Sequence, residues 1–242
     1  MLTDINKFYG KKLAAKDGPI GHVRDFYFDD RSWALLYVVA DTGSWLHGRK
    51  ILLSPHAFAN FDENERSLAV RLHMKQIEDS PSIDEHRPVS RQFEEEYYSY
   101  YAWPTYWQGP QAWGMGSSPI VVPPPGIATE HVHHTGEEAH LRSTKALNGY
   151  KVEATDGAIG HIVGFMMDTK GWAIRDLVIA TDPWYMAREA IISLNTVERI
   201  SYEESKIFVK LTKEQVKKLG EDHALREAAF ASAPDVFPSL IE

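Results

Sequence analysis

Asp17-Gly18-Pro19-Ile20-Gly21-His22 recurs as Asp156-Gly157-Ala158-Ile159-Gly160-His161, 139 residues further along the chain. The register holds well beyond this stretch. Trp33-Ala34 returns as Trp172-Ala173, Trp45 as Trp184, Arg49 as Arg188 and Ser54 as Ser193. From Asp17 to Ser54, 14 of 38 positions match their partners without a gap. A repeat of this length is one folding unit used twice, so a reading of the fold must explain both copies. The expected division is a first unit over 1–80, an intervening segment over 81–140, a second unit over 141–220 and a tail over 221–242.

Each copy reads as a series of short strands. In the first they fall near 11–15, 20–29, 33–40, 49–53, 57–62 and 67–72. Aromatic and β-branched residues dominate these runs, as a pleated, half-buried surface favours. Asp17-Gly18 suits a tight reversal, because glycine takes positive φ without a Cβ clash. Asp29-Asp30-Arg31-Ser32 and Asp168-Thr169-Lys170-Gly171 are polar reversals between apolar runs, with the leading Asp placed to bond its own turn. Six short strands in so few residues point to an all-β unit, a small closed or nearly closed barrel without exposed edges. A short helix follows each unit. Thr212 and Gln215 form a capping-box pair for the second, whereas His73 stands at the cap of the first, near 74–79.

The intervening segment differs in kind. It holds 8 of the 13 prolines, and eight acidic residues against Arg87 and Arg91. The overall formal charge is −8, so the two repeats are close to neutral together. Residues 90–101 read as one helix, with Ser90 as N-cap and Glu94, Glu95 and Glu96 near its positive end. Beyond Trp103-Pro104 the chain turns to Gly, Pro and Ser, the composition of an extended linker.

The repeated motif resembles the PRC-barrel. The resemblance rests on Asp-Gly-x-Ile-Gly, a Phe-containing strand ending in Asp, Trp-Ala before an apolar strand, and a basic residue ahead of Ile51-Leu52-Leu53-Ser54-Pro55. It covers 17–55 and again 156–194, where Leu194 replaces the proline, and about 150 residues once flanking strands are counted. That domain forms the cytoplasmic part of the photosynthetic reaction-centre H subunit and the C-terminal domain of a ribosome maturation factor. The resemblance implies two six-stranded barrels related by an internal pseudo-two-fold, and a non-catalytic scaffold or adaptor binding a protein partner, with a membrane or electron-transfer complex as one setting. The Pro88–Gln92 stretch and the acidic, Tyr-rich run to Trp107 also resemble bacterial tandem PRC-barrel proteins.

Composition narrows the functional classes. With no cysteine there is no disulfide, thiolate metal site or cysteine nucleophile. An acidic chain repels phosphate backbones, so nucleic acid is not the expected partner. The first residues lack the pattern of a signal peptide, and the longest apolar runs span about eight residues where a membrane helix needs ~20. The expectation is a cytoplasmic protein with no direct membrane insertion. Gly114-Met115-Gly116 lacks the strand-to-helix setting of a phosphate loop, and no Gly-x-Ser-x-Gly elbow occurs. No enzyme activity and no cofactor are expected.

The strongest functional lead is aromatic. Nine aromatics lie within the 21 residues from Phe93 to Trp113. They serve either to pack across both barrels and lock them or to dock a partner, including a second copy of the chain. The residues assigned to docking are Tyr97, Tyr101, Trp103 and Trp107, together with the symmetric pair Trp45 and Trp184. The latter two could also stack with Arg49 and Arg188. The alternative function is metal or small-ligand binding. It would use His22 and His161, which otherwise read as strand residues after a glycine bulge, or the His131, His133, His134 and His140 cluster, whose imidazoles suit Zn²⁺ or Ni²⁺.

Overall fold

The computed structural model of the chain describes residues 2–81, 91–103, 105, 128–129, 141–181 and 189–221. The described residues form two sheets and a few short helices. The first half carries β1 (Leu2–Asp4), β2 (Lys12–Ala15), β3 (Gly18–Asp29), β4 (Leu35–Asp41), β5 (Lys50–Leu53) and β6 (Ser67–Ala69). Helices α1 (Met74–Glu78) and α2 (Arg91–Tyr101) follow, then β7 (Ala128–Thr129). The second half carries β8 (Leu141–Ser143), α3 (Thr144–Leu147), β9 (Lys151–Ala154), β10 (Gly157–Asp168), β11 (Ala173–Thr181), β12 (Glu189–Ser193), β13 (Val197–Ser201) and β14 (Lys206–Val209). A last helix spans 213–221.

The two sheets share one plan. The first runs β5-β4-β3-β2-β6 and the second β12-β11-β10-β9-β14-β13-β7. Among the described residues neither path returns to its starting strand: the first ends at β5 and β6, the second at β12 and β7. The copies also differ at 57–62. Val197–Ser201 pairs fully with β14, but its counterpart in the first copy keeps a single bridge, Phe58 to Val70. A serine-capped 3-10 turn precedes this stretch in both copies, Pro55–Ala57 after Ser54 and Leu194–Thr196 after Ser193, so Ala57, expected to open a strand, lies in the turn.

The repeated glycine has a steric cause. Gly21 and Gly160 have φ of +124° and +150°. A Cβ on Gly21 would lie 2.0 Å from the Asp41 carbonyl oxygen, and one on Gly160 1.9 Å from that of Ala180. Only glycine lets the long strand approach its neighbour this closely. The register of β3 and β10 slips beside these glycines, as a bulge requires. The repeated aspartate has a second task. Asp17 Oδ1 accepts from the Met74 amide at 2.8 Å, and Asp156 Oδ1 from the Lys213 amide at 2.8 Å. One side chain thus both ends a hairpin and satisfies a donor at a helix start.

The strands that open each copy are exchanged. β1 pairs antiparallel with β10, through Leu2–Asp168, Thr3–Met167 and Asp4–Met166. β8 pairs in the same way with β3, through Leu141–Asp29, Arg142–Phe28 and Ser143–Tyr27. Every pair in one set is its partner in the other shifted by the repeat. The axis relating them passes beside the Ala34–Ala173 bridge. There the Leu35 amide donates to the Trp172 carbonyl at 2.8 Å and the Ile174 amide to that of Trp33 at 2.9 Å. Trp33 and Trp172 both adopt positive φ, 59° and 45°, to make this crossing. A single apolar core runs through both halves, including Phe28 against Phe165 at 6.5 Å and Phe61 against Trp172 at 4.4 Å.

Candidate functional site

Helix α2 lies on the outer face of the first sheet, and its sequence fits that face. From Leu35 to Ala40 all six residues of β4 are at most 2% exposed. A strand buried on both faces reads as an unbroken apolar run, and the aromatic helix supplies the second cover. Tyr97 Oη donates to the Leu52 carbonyl at 3.0 Å and accepts from the Ser54 amide at 3.1 Å. Because β5 ends the sheet, one phenol satisfies edge groups that no further strand reaches. Glu94 is fully buried and accepts from Tyr37 Oη at 3.0 Å. Rings of Tyr37, Tyr97 and Tyr98 meet edge to face at 5.5–6.4 Å. Burial raises the pKa of Tyr97 and Tyr98, so both hydroxyls keep their protons.

This arrangement redistributes the expected docking residues. Tyr97, expected among the docking residues, is 1% exposed and its hydroxyl is engaged with backbone. Tyr101 and Trp103 are half-buried and stack at 4.5 Å with rings 14° apart. Desolvation pushes the Tyr101 pKa up to about 12. Tyr100 beside them is 42% exposed, with its hydroxyl donating to the Gln76 carbonyl at 2.9 Å. Among the described residues the helix covers the first sheet, and the exchanged strands join the halves. Trp45 is half-buried against the core. Arg49 reaches elsewhere, donating to the carbonyls of Glu78 at 2.9 Å and Ser80 at 2.5 Å, which ties α1 to the sheet. Trp107 and Trp184 lie outside the described residues, as do His131, His133, His134 and His140.

His22 and His161 are exposed strand residues beside the glycine bulges. No group of three or more metal-ligating side chains occurs among the described residues. Asp29 bonds its own turn, accepting from the amides of Arg31 at 3.1 Å and Ser32 at 2.7 Å, and Asp168 does so with Lys170 at 3.2 Å.

Sequence reasoning missed the polar contacts of the seam. Asp30, 1% exposed, pairs with Arg142 Nε at 3.0 Å and accepts from Tyr202 Oη at 3.2 Å. The Arg142 guanidinium lies 4.0 Å from the Tyr202 ring centroid. Nearby, Asp25 accepts from Ser143 Oγ at 2.5 Å, Thr144 Oγ1 at 3.0 Å and the Lys145 amide at 3.2 Å. The counterpart of Asp25 is Gly164, where a Cβ would meet Asn6 Nδ2 at 2.5 Å. Asn6 uses the space to donate to the Val163 carbonyl at 3.1 Å. The repeat register places Asp25 opposite Gly164, but only the strand exchange explains the difference. No protein-family model matches the chain, and no curated protein matches it. No helix among the described residues is long and apolar enough to cross a membrane.

Proposed function

We propose that the chain is a non-catalytic scaffold or adaptor of the PRC-barrel kind, holding a protein partner on a rigid double unit. The observation that carries this reading is the reciprocal exchange of β1 and β8 across one shared core. Two units that complete each other's sheets cannot shift independently without breaking backbone pairing, which suits a platform. The half-buried Tyr101–Trp103 stack and exposed Tyr100 supply an aromatic ridge at the end of α2, of the composition that anchors protein interfaces. The sequence resemblance points the same way.

The test is a quantitative cross-linking comparison in native extract between the wild-type chain and Trp103→Ser. Thermal melts of both proteins serve as a folding control. The expected result is loss of a defined set of cross-linked proteins with a small change in melting temperature. Identical cross-linked sets would remove the docking role of the ridge.

A further inference from the structure

The pseudo-two-fold creates two equivalent grooves between the halves, and among the described residues only one is filled by side chains. The filled groove holds the Asp30–Arg142–Tyr202 cluster. Shifted by the repeat, those positions are Thr169, Thr3 and Glu63. All three line a cavity of about 290 Å³ between 55–63 and 169–172. Its apolar wall is Phe58, Phe61 and Trp172, with Trp172 4.4 Å from Phe61 and 5.5 Å from Phe58. Asp62 and Glu63 stand on one rim, Lys170 on the other.

We propose that this groove binds a guanidinium-bearing ligand of about the size of arginine. The chain supplies the precedent: in the twin groove a guanidinium sits over an aromatic ring and against a carboxylate. In the open groove Thr3 replaces the arginine and Thr169 the aspartate, while Glu63, at the place of Tyr202, supplies a carboxylate and Phe58, Phe61 and Trp172 supply aromatic surface from other positions. That combination complements a planar cation, through charge-assisted hydrogen bonds and a cation–π contact. Glu63 is largely enclosed, and Lys7 Nζ holds its Oε2 at 2.8 Å from a side chain 59% exposed. An entering guanidinium shares or displaces that exposed lysine. Asp62 accepts from the Asn64 amide at 2.9 Å and Nδ2 at 3.0 Å, which fixes its orientation at the rim. Lys170, exposed across the groove, is placed to meet an anionic group at the ligand's other end. The volume lies near the lower bound of small-molecule pockets, ~300 Å³.

Calorimetric titration of the full chain with L-arginine, agmatine and a blocked Gly-Arg-Gly peptide tests the proposal, with citrulline as the uncharged control. Saturable binding of at least one guanidinium compound, and none of citrulline, is expected. Tighter binding of free arginine than of agmatine supports a role for Lys170 and a small-molecule source. Tighter binding of the peptide assigns the source to a protein side chain; either result supports the site. Glu63→Gln should weaken binding about tenfold, as loss of a charge-assisted contact implies. Thr3→Arg, which restores the twin's residue, should abolish binding without lowering the melting temperature. If Thr3→Arg unfolds the chain, Glu63→Gln decides alone. No binding at millimolar ligand, equal binding of citrulline, or binding indifferent to Glu63→Gln would overturn the proposal.

Discussion

The two halves use the same glycine, aspartate and tryptophan positions, yet they dress their sheets differently. In the first, β4 is buried from Leu35 to Ala40 with no charged residue in that run, and α2 lies on it. In the second, the equivalent strand carries half-buried Arg175 and Asp176, with Ile191 and Ser193 half-buried on the neighbouring strand. What is shared concerns backbone geometry and the crossing at the pseudo-two-fold. What differs concerns the outer faces and the seam polar groups. Duplication preserved the requirements of the chain path and released the surfaces for separate use.

Breaking a shared feature should cost the most and cost it in both halves. Gly21→Ala and Gly160→Ala each place a Cβ within 2.0 Å of a carbonyl oxygen at a backbone angle that suits glycine. Each is expected to lose at least ~4 kcal/mol of stability, by strain and displaced pairing together. Urea denaturation of both variants checks this. A large loss in one alone would show that the halves do not share the constraint.

The seam comes next, and here the halves should part. Asp30→Ala leaves Arg142 and Tyr202 without their buried acceptor. Allowing for the partial exposure of Arg142, a loss of about 2–3 kcal/mol is expected. Thr169→Ala, at the equivalent position beside the open groove, should stay within about 1 kcal/mol. Equal losses would mean that the two grooves are energetically alike.

The third effect is confined to the first sheet. Tyr97→Phe keeps the ring and removes the hydroxyl that bridges Leu52 and Ser54. The expected cost is about 1–2 kcal/mol. Amide exchange should quicken at Ser54 and along α2, while β1 and β8 stay protected. Simultaneous opening of the exchanged strands would place α2 among the elements that hold the halves together.

Local signals were legible in the sequence because their causes are local. The Asp17-Gly18 reversal, the β3 and β10 strands, the helix over α2 and the bonding of Asp29 to its own turn all follow from neighbours along the chain. The exchange of β1 and β8 left no comparable trace. Leu2-Thr3-Asp4 and Leu141-Arg142-Ser143 share only their leucine, and pairings between residues 162–166 and 112–116 apart have no periodicity to detect. The hint available was a capping residue at the same place in each copy, Asp4 and Ser143. The interior place of Tyr97 was hidden for a related reason. An aromatic helix reads alike whether its rings face its own sheet or a partner.

The smallest effect is one of pH, and its sign should differ between two aspartates. Asp17 is exposed, and the hydrogen bond from the Met74 amide holds its carboxyl below the ordinary aspartate range. Its stabilising contribution is complete above the unfolded-state pKa and fades as pH falls through the lower folded value. Asp176 stands where the first half has Tyr37. Desolvation raises its pKa, and Arg175 only partly offsets the rise. The folded state therefore holds a proton more tightly there than the unfolded chain. The penalty is full above the folded pKa and is relieved as pH falls through it toward the unfolded value. Asp176→Asn should raise stability at neutral pH, by less than ~1 kcal/mol given its exposure, and remove this gain on acidification. Asp17→Ala should lower stability at neutral pH and leave it unchanged at pH values where Asp17 is protonated in both states. Denaturation curves across the acidic range distinguish the two. A loss of stability in Asp176→Asn at neutral pH would mean that the carboxylate is held by a favourable partner, and that this part of the second sheet's outer face is a built polar surface.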